Sequence, residues 1–132
     1  MTSEFVKEAT ARLAKEKGFN VGCRYMYGFL TGYNGMHEFD NYNSQFAAYE
    51  PHKDNCSAPT QDLLQRWLRE KHNLHIAITL GHDEKEIWYD SYIYKIDIGY
   101  DYIALTTEEV SGSSTYEEAM ELGLFNALNF II

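Results

Sequence analysis

Pro59-Thr60-Gln61-Asp62-Leu63-Leu64-Gln65-Arg66-Trp67-Leu68-Arg69-Glu70-Lys71-His72-Asn73-Leu74-His75-Ile76-Ala77-Ile78-Thr79-Leu80 is the stretch from which the fold is read. Thr60 offers a hydroxyl to cap a helix, and Leu63, Leu64, Trp67 and Leu68 recur at helical spacing up to about His72. Asp62 falls in the first turn and Arg66, Arg69, Lys71 and His72 crowd the last, as the helix dipole favours. The period then switches to alternation, with Leu74, Ile76, Ile78 and Leu80 on one side and His75, Ala77 and Thr79 on the other. A capped helix feeding a strand, anchored by Trp67, is a folding core that needs no ligand to explain it.

Downstream, Gly81-His82-Asp83-Glu84 predicts a turn and Ile87 to Ile96 a second strand, apolar or aromatic on both faces and so ambiguous in register. A third short strand follows at Tyr102 to Thr106. Thr115 and Glu118 form a capping box that opens a last helix, with Tyr116, Ala119, Met120, Gly123, Leu124, Ala127, Leu128 and Ile131 on one stripe to the chain end. Leu122 and Phe125 stand opposite that stripe, either as a homodimer contact or beneath the N-terminal hairpin.

Upstream, Ser3 is a candidate N-cap for a helix from about Glu4 to Lys17, its stripe made by Phe5, Val6, Ala9 and Leu13 and its stop by Gly18. Val21 to Phe29 alternates Cys23, Tyr25, Tyr27 and Phe29 against Arg24, Met26 and Gly28, and Asn34-Gly35 is a strong turn signal before a return strand at Met36 to Tyr42. Residues 43–59 read as a long surface loop. The expected class is α+β, an antiparallel sheet with helices on one face, in the order α-β-β-(loop)-α-β-β-β-α. Residues 1–132 are expected to form a single domain, with 1–56 a helix plus aromatic hairpin and 57–132 an acidic αβββα subregion.

With 132 residues, 45% of them hydrophobic and 23% charged, the chain is composed as a packed globule. Residues 73–132 hold eleven of the 20 acidic side chains but only Lys85 and Lys95 of the 11 basic ones, so the whole charge of −9 sits there. That surplus disfavours nonspecific binding to nucleic acid or anionic membranes, which takes Lys and Arg. No apolar leader or 18-residue apolar run is present, so a cytoplasmic protein with Cys23 and Cys56 as reduced thiols is expected.

Chemistry-bearing patterns are sparse. His72 and His75 are three apart, but one ends a helix and the other starts a strand, so no metal site is expected. Cys56 has His52 nearby without an evident oxyanion donor. No phosphate-binding loop or nucleophile elbow occurs, so neither a cofactor nor a catalytic residue is assigned. The order α-β-β-β-α matches a double-stranded-RNA-binding module, yet Glu117, Glu118 and Glu121 at the last helix would repel phosphate.

Aromatic density points instead to recognition. Tyr25, Tyr27, Tyr33, Tyr42 and Tyr49 are the candidate binding residues, interleaved with Gly and Asn as in adaptable binding surfaces; the alternative is that half of this aromatic set lines the core. Lys15-Glu16-Lys17-Gly18-Phe19, Cys23-Arg24-Tyr25, the block Ser57 to Ile76, and Tyr116-Glu117-Glu118-Ala119 through Leu124, Ala127 and Leu128 resemble a family of small uncharacterised proteins encoded by gut bacterial phages and prophages. The likeness spans nearly the whole chain, is most specific in Ser57 to Ile76, and fades over Tyr33 to Lys53. It implies a phage or prophage origin and action inside a bacterium, with no activity to carry over. The expected function is a non-enzymatic module that binds a host or phage protein. The alternatives are a small metal- or Cys-dependent hydrolase or nuclease-like enzyme using His72, His75 or Cys56, and an acidic DNA mimic that inhibits a host defence factor.

Overall fold

The computed structural model describes residues 4–45, 55–96, 102–104 and 112–131. It is α+β with antiparallel strands: α1 (Glu8–Glu16), β1 (Tyr25–Leu30), β2 (Tyr33–Glu38), α2 (Tyr42–Gln45), β3 (Cys56–Ser57), α3 (Gln61–His72), β4 (Leu74–His82), β5 (Ile87–Ile96), β6 (Tyr102–Ala104) and α4 (Tyr116–Leu128). The strands make two three-stranded sheets in place of one, ordered β2-β1-β3 and β4-β5-β6. They belong to two compact units, Met1–Leu63 and Leu64–Ile132, whose boundary falls inside α3.

In the first unit the opening helix is shorter than its pattern. Residues 4–7 run extended because Val6 N–H donates to the Pro59 carbonyl at 3.0 Å and Gln61 N–H donates to the Glu4 carbonyl at 2.7 Å. The anticipated Ser3 cap lies outside the described residues, and α1 starts at Glu8 with no side-chain cap. Its buried residues are Thr10, Ala11 and Ala14, whereas Ala9 is exposed and Leu13 half-buried. Small side chains on the buried face let α1 lie close to β3.

The hairpin also turns earlier than Asn34-Gly35. Thr31 and Gly32 occupy the left-handed region, with φ 51° and 93°, as a two-residue hairpin turn requires. Asn34 and Gly35 lie within β2, where Gly35 pairs with Gly28. Against Gly28, on the edge of β1 away from β2, sits Asn55, whose Oδ1 accepts from Phe29 N–H at 2.8 Å and whose Nδ2 donates to the Phe29 carbonyl at 2.9 Å. Part of the expected surface loop is therefore core. Asn43, Asn55, Cys56, Ser57 and Pro59 are all buried. Asn43 and Ser57 exchange hydrogen bonds, Asn43 N–H to Ser57 Oγ at 2.9 Å and Ser57 N–H to Asn43 Oδ1 at 2.8 Å.

α3 begins as its sequence indicates, Leu63 N–H donating to Thr60 Oγ1 at 3.3 Å. In the second unit it buries Leu64, Trp67 and Leu68, and the Trp67 ring meets His72 edge-on at 4.7 Å. Asn73, with φ 54°, breaks the helix and releases β4. The register of β5 is set opposite β4, with Ile76 against Ile93, Ile78 against Ser91 and Leu80 against Tyr89. Gly123 brings α4 onto this face, since a Cβ there would lie 2.8 Å from Ile76 Cγ2 and 3.2 Å from Ser91 Cβ. Trp88 turns to the opposite face, where its indole lies against Gly81 and Gly112. Thr115 caps α4 by accepting from Glu118 N–H at 3.1 Å, while the Glu118 carboxylate reaches Ser114 N–H at 3.2 Å. The helix ends at Leu128, and Tyr116, expected inward, is 48% exposed because α4 begins at the rim of the sheet.

Candidate recognition surface

The five tyrosines singled out by sequence separate once β1 pairs on both sides. Met26 and Gly28 point inward from β1, so Tyr25 and Tyr27 share the other face and are only half-buried. Tyr25 packs edge-on against Phe5 at 5.3 Å with Arg24 over its ring, and the Tyr27 hydroxyl donates to the Val6 carbonyl at 2.5 Å. Tyr42 is 2% exposed and belongs to the core; burial pushes its phenol up, with Asn55 acting in the opposite sense. Tyr33 is 56% exposed, its ring tilted on that of His37 at 4.3 Å. Tyr49 lies outside the described residues.

A narrower surface emerges at the tip of the hairpin. Phe29 and Met36, 43% and 36% exposed, share one face of the β1–β2 pair, while Tyr33, opposite Leu30, stands on the other. Phe29 stood in the aromatic run, but Met36 was legible only as a strand residue, because its exposure depends on where the turn falls. Among the described residues β2 is an edge of its sheet, with no strand beside alternate backbone groups along it. Toward the base of the same unit, a shallow apolar cavity of about 190 Å³ is lined by Phe5, Cys23, Arg24, Tyr25, Pro59 and Leu63.

The alternative chemistry finds little support in geometry. Burial pushes the Cys23 thiol up to about 11 and the Cys56 thiol up to about 12, so both are protonated at neutral pH and poor nucleophiles. His72 titrates below its ordinary value, first through burial and then through Lys95, and meets the Trp67 ring edge-on. His52 lies outside the described residues. Among the described residues, no three His, Cys, Asp or Glu side chains are grouped to hold a metal ion. No helix among them is long and apolar enough to cross a membrane. At α4, Glu117 and Glu118 are exposed as a phosphate-repelling start requires, but Glu121 is buried and contributes little outward charge. Leu122 is half-buried and Phe125 37% exposed on its outer side. No protein-family model, curated protein or solved structure matches the chain.

Proposed function

We propose that the chain is a non-enzymatic protein-binding module of phage or prophage origin, acting inside a bacterial host and engaging a host or phage protein through the tip of the β1–β2 hairpin. The observation that carries this reading is that the hairpin exposes large side chains on both its faces, Phe29 and Met36 on one and Tyr33 on the other, while Met26 and Tyr42 fill the core. Exposed apolar groups concentrated in this way mark interaction surfaces, and Tyr supplies contact area at low entropy cost. Affinity capture from bacterial lysate tests it, with tagged wild-type chain beside a Phe29→Ala, Tyr33→Ala, Met36→Ala variant. None of these side chains is in the buried core, so the variant is expected to keep the fold, which circular dichroism checks, and to lose its partners. Recovery of the same partners in equal amounts would refute the hairpin tip as the interface.

A further inference from the structure

We infer that a second copy of this chain adds to the free edge of β4, antiparallel, about a twofold axis at Leu80. The direction of the backbone groups follows from the other side of the sheet. Tyr89 N–H donates to the Ser113 carbonyl and Ser113 N–H to the Tyr89 carbonyl, both at 2.9 Å, so the peptide groups of Tyr89 face away from β4. Leu80 is the cross-strand partner of Tyr89, and its own groups therefore face away from β5. With the two-residue period, Leu74, Ile76, Ile78 and His82 do the same. Gln65 Nε2 meets the Ile76 carbonyl at 3.5 Å. Among the described residues nothing meets the outward groups of Ile78, Leu80 and His82.

Those three residues are centred on Leu80. A twofold axis there pairs Leu80 with Leu80 of the other copy and Ile78 with His82, two backbone hydrogen bonds per pair, and leaves Gln65 in place. Sheet edges are usually guarded by Lys, Pro or a bulge, whereas Leu74–His82 has no charged residue and no proline. Leu80 is 58% exposed and Ile87, next to it on the same face, 65% exposed, at the end of the sheet where α4 begins with Tyr116 against Tyr89. The dimer brings the two Leu80 side chains together on that face.

Charge selects the antiparallel sense and a like copy as the occupant. The β4–β5 turn carries Asp83, Glu84 and Glu86 against Lys85. At the start of β4, Arg69 shares the face of α3 from which Gln65 reaches the edge, four residues earlier. Antiparallel addition carries each acidic turn toward the Arg69 end of the other copy, while parallel addition would set acid beside acid.

Sedimentation over a range of concentrations, with amide exchange of Ile78, Leu80 and His82, tests this. The expected result is a dimer that weakens with salt, at least tenfold weaker in Leu80→Lys and unchanged in Phe125→Lys, with the three amides protected only at dimer concentrations. A chain that stays monomeric throughout overturns it, as does a dimer lost in Phe125→Lys and kept in Leu80→Lys. Should Leu80→Lys fail to fold, the wild-type amides decide: exchange rates independent of concentration overturn the proposal.

Discussion

Gly28→Ala is the substitution whose consequence the structure specifies most closely. A Cβ at position 28 would lie 2.0 Å from Asn55 Oδ1, 2.5 Å from its Cγ and 2.9 Å from its Cα. The side chain of Asn55 must leave, and with it the two hydrogen bonds to Phe29. Losing two such bonds and stranding a partly buried N–H costs about 2–3 kcal/mol. The φ of +138° adds about 1–2 kcal/mol of backbone strain for a residue with a Cβ. Gly28→Ala is therefore expected to destabilise the first unit by about 3–5 kcal/mol, and Asn55→Ala by about 2–3 kcal/mol. In the double variant the collision with the Asn55 amide is gone and its hydrogen bonds are counted once, so the pair should show a coupling of about 2 kcal/mol. Urea denaturation followed by near-UV circular dichroism of the tyrosines, which lie in both units, is read beside the fluorescence of Trp67 and Trp88, which lie only in the second, so that a change confined to the first signal reports the first unit. Additivity of the two single effects within about 0.5 kcal/mol would refute the view that Asn55 occupies the space Gly28 leaves.

Two further outcomes follow from burial. Gly123→Ala removes a poor helix former, worth about 1 kcal/mol in an open helix, yet it should destabilise the second unit by about 1–2 kcal/mol because the methyl meets Ile76 and Ser91; a higher urea midpoint by tryptophan fluorescence would contradict this. Cys23 and Cys56 hold their protons to about 11 and about 12, against 9.0 when exposed. Between pH 9 and 11 the unfolded chain releases protons that the folded chain keeps, so stability falls as pH rises, by up to about 1.4 kcal/mol per pH unit per thiol. Urea midpoints at pH 8 and pH 10 should differ in that sense, and Cys56→Ala should flatten the dependence.

Periodicity within a continuous stretch carried the elements that local chemistry dictates. Thr60 and Thr115 cap α3 and α4 because a hydroxyl three residues before a donating N–H of the first turn suffices, and the α4 stripe from Ala119 to Leu128 is buried as its spacing indicates. The alternation of β4 likewise needed only its own residues. Where two distant stretches compete for the same backbone, local signals misled. Ser3 and Glu4 looked like a helix start, but Pro59 and Gln61 engage the backbone at Val6 and Glu4. Asn34-Gly35 is the better turn sequence, yet the chain turns at Thr31-Gly32, which sets Gly28 opposite Gly35, with Asn55 on the other edge of β1. Polar composition made residues 43–59 look like surface, whereas Asn43 and Asn55 spend their amides on backbone groups inside the core.

The recognition surface divides the same way. An aromatic run from Tyr25 to Tyr49 is visible in composition, but composition cannot assign a side to a strand. Only pairing on both edges of β1 sends Met26 inward, ties Tyr27 to Val6, and leaves Tyr33, Phe29 and Met36 in solvent. Helix caps, stripes and the α+β class rest on contacts between near neighbours, so the residues specify them directly. Turn position, sheet partition and the exposed set depend on which remote backbone groups find each other, and packing of the whole unit settles that.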